Sequence, residues 1–243
     1  MKATHLKYRH SEFRKLTSDE QCMFFQCGII LNELRFYDLR LLRYIRFLQS
    51  HPKPHEMEIG LIFSETTLLL SEMAAKLHET FNVIKKGYFA TKLAKEYHSR
   101  LSPQVRESLE ALKRYHNRAD NLIRKIRNGF ASHYDRELIQ GFVNDLPEDW
   151  IHSAFLTGCA NDAFLEFGQV VSMHALYKST GQLNAVAGFF SVCDEVSSTV
   201  LRDTILFLHG FLEAASKGLI ADSEQIEFEP TASAPVLFMA TDG

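Results

Sequence analysis

The chain has 243 residues, 46% hydrophobic and 23% charged, with a net charge of −3 at pH 7. That length buries one sizeable core or at most two small ones, and the composition is that of an ordinary soluble protein. No apolar run approaches the roughly 20 residues of a bilayer span, and Met1 to His10 lack the apolar segment of a signal peptide, so a cytoplasmic protein with no membrane partner is expected.

Cys22, Cys27, Cys159 and Cys193 form no C-x-x-C pair. They read as free thiols in a reducing compartment. The most apolar stretch, Val200 to Leu212, is interrupted by Arg202, Asp203 and His209.

Taken in chain order, residues 1–17 read as a flexible basic arm. Ser18 with Gln21 has the form of a capping box. The helix it opens, 18–50, carries Phe24, Ile30, Leu34, Leu41 and Ile45 at spacings of threes and fours. His51-Pro52-Lys53-Pro54 is a connector. A second helix is expected over 57–86, with Gly87 as its stop, and a short one from Phe89 to His98. Ser102 at the cap and Pro103 at the first helical position then start a helix over 103–128. Its apolar stripe runs through Val105, Leu109, Leu112, Leu122 and Ile126.

Pro147 begins another short helix through Phe155. Asp162–Lys178 and Ala185–Lys217 read as two more. Residues 219–243 are acidic, without Lys or Arg, and read as a disordered tail. No alternating strand pattern appears beyond Val236-Leu237-Phe238-Met239. The expected fold is all-α: one antiparallel helical bundle of five to seven helices over 18–218, built on the helices 18–50, 57–86 and 103–128.

Ile126 to Asp135 read I-R-N-G-F-A-S-H-Y-D. Arg127 is a permanent bidentate phosphate donor, and His133 can move a proton near neutral pH. Positions six apart lie about 120° apart on a helical wheel. The two side chains therefore converge only if the helix breaks, for which Gly129 is the candidate, or if a second copy of the chain brings them together.

This R-N-x(4)-H pattern after a long helix resembles the R-x(4–6)-H signature of the HEPN superfamily. The segments around Asn32–Leu34 and Ala74–Glu79 resemble bacterial members too. The resemblance implies an all-helical, dimeric protein over residues 17–218. It implies a metal-independent endoribonuclease of toxin–antitoxin or phage-defence systems, needing no cofactor. His133 would be the general base on the ribose 2′-OH, Arg127 the phosphate ligand and Asn128 the group that orients it. The family's tyrosine lies two residues after its histidine. Tyr134 follows His133 directly, so that role is not carried over.

Between Arg100 and Asn128, Lys and Arg outnumber Glu107, Glu110 and Asp120. Arg106, Lys113, Arg114, Arg118, Arg124 and Lys125 are therefore the candidate RNA-binding residues. The plain alternative is a solvated helix face. Likewise Arg127 in a last helical turn would complement the helix dipole without any catalytic role.

The 11 histidines include no H-E-x-x-H and no zinc spacing, so no metal site is expected. His116 lies on the apolar stripe and reads as a core residue. His78 reads as a lone helix residue. The non-enzymatic alternative is a HEPN-like helical module that binds a protein, RNA or nucleotide. A separately encoded antitoxin or sensor protein is a possible partner under either reading.

Overall fold

The computed structural model of the chain describes residues 2–50, 55–129, 136–149, 185–217 and 219–227, with isolated positions between 154 and 181. Among these the fold is mostly helical, with one two-stranded sheet, as an all-α class requires.

The first two long helices are α2 (Ser18–Ser50) and α3 (Glu56–Val83), preceded by a single turn, α1 (His10–Phe13). The start of α2 is capped by Thr17 and Glu20, one residue earlier than Ser18 and Gln21. The Thr17 amide donates to Glu20 Oε2 at 2.7 Å, and the Glu20 amide to Thr17 Oγ1 at 3.3 Å. α3 uses His55 as its cap: Nδ1 accepts from the Met57 amide, and Glu58 reaches back to the His55 amide. The two helices run antiparallel, because Tyr44 bonds Glu65 while Glu33, further back on α2, pairs with Lys76, further on along α3.

α3 does not stop at Gly87. It continues into a π-helical segment, Ile84–Phe89. Gly87 is needed for approach, not termination: a Cβ there would meet Met23 Sδ of α2 at 3.2 Å. A short α4 (Leu93–Tyr97) follows.

The expected helix 103–128 is two helices, α5 (Pro103–Asn117) and α6 (Leu122–Gly129). Arg118 is extended, at φ −70° and ψ 131°. Asn121 then caps α6: its Oδ1 accepts from the Arg124 amide at 2.9 Å and its Nδ2 donates to the Arg118 carbonyl at 2.7 Å. An asparagine whose side chain satisfies backbone groups favours a cap over a helix interior, and the periodic stripe across the break concealed this.

α7 (Arg136–Asp145) was not anticipated. The segment Ala185–Ser216 is helical throughout as expected, as α8 (Ala185–Cys193), a π-helical stretch Asp194–Leu201 and α9 (Arg202–Ser216). α9 packs antiparallel on α5, with Val105 against Gly210 and Ser108 Oγ 3.4 Å from Asp203 Oδ1.

The core gathers Leu34, Leu70, Leu77, Leu109, Ile123, Ile126, Phe207 and Phe211, each almost inaccessible to solvent. Tyr88 lies in it, edge-on to Phe207 and Phe211. Burial pushes its phenol up to about 12, and its hydroxyl finds no hydrogen-bond partner among the described residues.

The ends of the described chain correct the sequence reading. Lys2–Tyr8 and Ile220–Glu227 are not a loose arm and a disordered tail but antiparallel strands, β1 and β2, in register from Lys2↔Glu227 to Lys7↔Asp222, with a shift before Tyr8↔Ile220. His5 Nδ1 lies 2.9 Å from Glu224 Oε1, and Lys7 Nζ 3.0 Å from the same carboxylate. Each strand alone is too polar to announce itself. Together they form a ladder in which basic side chains face acidic ones.

The expected helices Pro147–Phe155 and Asp162–Lys178, the 236–239 segment and Cys159 lie largely or wholly outside the described residues. No helix among the described residues is long and apolar enough to cross a membrane. Cys22, Cys27 and Cys193 are free thiols.

Candidate functional site

α6 is short and strongly two-sided. Leu122, Ile123 and Ile126 are buried, anchoring it on α3, and the remaining positions are basic or polar. That anchoring fixes where its last turn points. Arg127 leaves the end of α6 toward the last third of α3, where Nη2 stands 3.4 Å from Glu79 Oε1. Nη1 also reaches Asn128 Oδ1 at 3.4 Å. The Arg127 and Glu79 side chains are 43% and 57% exposed, so the guanidinium is open to solvent and to a ligand. A cation in the last turn also complements the helix dipole there.

Beside this pair lie two histidines from different helices. His116 of α5 is buried and stacks on Phe81 of α3. His78 of α3 lies with its ring centroid 6.3 Å from that of His116. Burial, then the neighbouring His78 and Arg124, hold His116 down to about 4. His78 is lowered as well, by burial first, then by Arg127 and Arg124, against an opposing pull from Glu79. Both rings are therefore neutral at pH 7. His78 Nδ1 and His116 Nε2 are buried and find no hydrogen-bond partner among the described residues. Arg124 closes the group from α6, donating from Nη2 to the His116 carbonyl at 3.3 Å.

The structure thus brings together Arg124, Arg127 and Asn128 from α6, His78 and Glu79 from α3, and His116 from α5. His133, with Phe130, Ala131, Tyr134 and Asp135, lies outside the described residues. Sequence reasoning set His78 aside as a lone helix residue and gave Glu79 no role of its own. Nothing in their spacing links them to Arg127, and only the packing of α6 on α3 does.

The other basic candidates do not form one stripe, because α5 and α6 are separate helices. Lys113 Nζ lies 5.2 Å above the Phe89 ring. Arg118 Nε is 3.5 Å from Asp120 Oδ1. Arg106 is half-buried, and Arg114 and Lys125 are exposed. Among the described residues no group of three or more His, Cys, Asp or Glu side chains could hold a metal ion.

A solvent-open guanidinium beside an amide can grip a phosphate in two places. The neutral imidazole of His78 next to it is in the form that accepts a proton. No family model, curated protein or solved structure matches the chain.

Proposed function

We propose that the chain is a metal-independent endoribonuclease of the HEPN type. The observation that supports this reading best is the placement of Arg127: at the open end of α6, half-exposed, with Asn128 beside it. A phosphate ligand must be accessible, and an arginine serving only the core would not be.

In the proposed reaction His133 takes the proton from a ribose 2′-OH. The freed oxygen attacks the adjacent phosphorus, and the bond from phosphorus to the 5′ oxygen breaks. Arg127 holds the non-bridging oxygens as their charge builds, and Asn128 orients them. The leaving 5′ oxygen takes a proton, leaving a 2′,3′-cyclic phosphate and a 5′-OH. A positioned base contributes roughly 10²–10⁴ in rate, and a donor aimed at the developing charge about 10²–10³. Arg124 and Lys125, on the same helix, would carry flanking phosphates. Work in RNA-targeting toxin or defence systems, in the cytoplasm, with a separately encoded antitoxin or sensor protein, belongs to the same proposal.

The test is RNA cleavage in EDTA by the wild type, Arg127→Ala and His133→Ala, with thermal unfolding recorded for each. Loss of cleavage in both variants at nearly unchanged unfolding midpoints supports the reading. Cleavage that survives both substitutions refutes it.

A second reading, a helical module without turnover that binds a protein, RNA or nucleotide, has its own observation. The Arg127 guanidinium already has a carboxylate partner in Glu79, as a purely structural arginine would.

A further inference from the structure

A cavity of about 350 Å³ opens between the start of α2 and the end of α3, and Glu79, the carboxylate that pairs with Arg127, is part of its wall. Asp19, Met23 and Gln26 line it from α2. Glu79, Asn82 and Lys86 line it from α3 and the π-helical segment that continues it. On each helix these positions fall at spacings of three, four or seven, so each set shares one face. Tyr44 meets Glu65 and Glu33 meets Lys76, an equal step along both helices. The same antiparallel register sets Gln26 beside Val83 and Asp19 beyond Lys86. A Cβ on Gly87 would meet Met23 Sδ at 3.2 Å and Gln26 Oε1 at 3.7 Å, as that register requires. The cavity therefore has two distinct ends. Glu79 and Arg127 stand at one, and Asp19 and Lys86 at the other, two helical turns or about 10 Å away.

We propose that this cavity is a pocket for a guanine base of the RNA, with a phosphate of that nucleotide on Arg127 and the base held between Asp19 and Lys86. The RNA as the source of the base rests on the nuclease reading. The preference for guanine rests on the pocket alone. Guanine presents the acceptor O6 beside two donors, N1–H and N2–H. The Lys86 ammonium donates to O6, and the two carboxylate oxygens of Asp19 accept from N1 and N2. Adenine, cytosine and uracil each offer one donor group on that edge where guanine offers two, so each leaves half of the carboxylate unpaired.

Size, walls and charge fit this occupant. Small-molecule sites run from about 300 to 1,000 Å³, and this one suits a single nucleoside. The buried Met23 and the half-buried Val83 give it an apolar wall for the face of a base, and a methionine sulfur packs well on aromatic rings. Asp19, Gln26, Asn82 and Lys86 make no side-chain hydrogen bond or ion pair with another described residue, so all four are free for a ligand. Thr91, also in the wall, is occupied: its hydroxyl donates to the Gly87 carbonyl at 2.7 Å. Gln26 and Asn82 lie between the two ends, where the ribose hydroxyls would fall. Lys86 and Gly87 belong to the π-helical segment, a distortion frequent at functional sites. Asp19 and Glu79 repel a small anion lodged there alone, and Lys86 repels a polyamine.

Isothermal titration calorimetry of the full chain with nucleoside 3′,5′-bisphosphates tests the pocket apart from cleavage. A phosphate on each side of the sugar leaves the strand direction open. Guanosine bisphosphate should bind tightest. The inosine analogue lacks the N2 amine and should bind about tenfold more weakly, the loss of one hydrogen bond to a charged group. The adenosine analogue should bind more weakly than guanosine too. Asp19→Asn replaces an acceptor by a donor, so it should lose the preference for guanosine and favour xanthosine, which carries a carbonyl in place of that amine. Asp19 is exposed, so the variant should keep the wild-type far-UV helical signal. Lys86→Ala should weaken guanosine and inosine alike, because both carry O6. Arg127→Ala should weaken all four by a similar factor, because it meets only phosphate. In a uridine-rich RNA with one guanosine, cleavage should concentrate beside that guanosine.

Equal binding of the four bisphosphates, or binding of none, overturns the proposal. So does an Asp19→Asn variant that ranks the bases as the wild type does. Guanine-selective binding by a chain that cleaves at every base alike overturns the RNA as the source of the guanine and leaves a free nucleotide in its place. Guanine-selective binding without any cleavage keeps the pocket and removes the nuclease reading. Cleavage by a chain that binds no guanosine does the reverse.

Discussion

The imidazole of His116 lies flat on the ring of Phe81, with centroids 4.1 Å apart and planes inclined by 7°. Stacked this way, and with His78 and Arg124 as its charged or titratable neighbours, the ring has no favourable place for a proton.

The consequence is a pH-dependent stability. The folded value is lowered from 6.5 to about 4. Above pH 6.5 folded and unfolded forms are both neutral, and the fold keeps its full stability. As pH falls from there toward 4, the unfolded chain binds a proton that the folded ring refuses, and stability is lost. Each pKa unit of separation corresponds to about 1.4 kcal/mol. His116→Phe preserves the stacked surface and removes the titration. Urea unfolding followed by circular dichroism should show a shallower loss between pH 6.5 and 4 for this variant. Equal slopes would exclude His116 as the source.

Glu79 competes with any phosphate for Arg127. Glu79→Gln should therefore tighten RNA binding several-fold in a low-salt titration, and Arg127→Ala should weaken it and reduce the salt slope by about one. The pair is exposed, so neither change should alter stability by more than about 1 kcal/mol. Unchanged RNA affinity in Glu79→Gln would mean that Arg127 does not meet RNA.

Gly210 has no room for a methyl group. A Cβ there would lie 2.4 Å from Val105 Cγ2 and 2.7 Å from Cγ1. Gly210→Ala should destabilise the fold by about 1–3 kcal/mol through overpacking of α9 on α5, despite alanine's higher helix propensity. Val105→Ala in the same chain should recover part of that loss. Additive losses in the double variant would contradict the contact.

The Tyr88 hydroxyl is buried without a partner among the described residues. Removing such a group should stabilise, since an unsatisfied polar group costs about 1–3 kcal/mol. Tyr88→Phe is expected to unfold at higher temperature than the wild type. A lower midpoint would show that the hydroxyl is satisfied in solution.

Much of the helical architecture was legible because period and caps are local signals. Ser102-Pro103 starts α5 where its side chain accepts from the Val105 amide. Gly87 was misread and Asn121 overlooked, for opposite reasons. The glycine's role depends on Met23, a residue of another helix, so no neighbour in sequence reveals it. The asparagine's capping role was local but was masked by an apolar stripe that keeps its phase across the break. The pairing of β1 with β2 lay beyond any windowed pattern. In the site, Arg127 and Asn128 stood out by residue type, whereas His78 and Glu79 matter only through the packing of α6 on α3.

The β1–β2 ribbon also has a history in time. His5 and Glu224 are separated by 219 positions, so on the ribosome β1 emerges long before its partner. Every helix described here is synthesised while β1 has nothing to pair with. The strand's Lys7 keeps that waiting edge charged, a feature that discourages pairing with other chains. The ribbon is thus the last part of the described fold to close. Joining such distant segments gives it little local cooperativity, and its amides should be among the first to exchange with solvent.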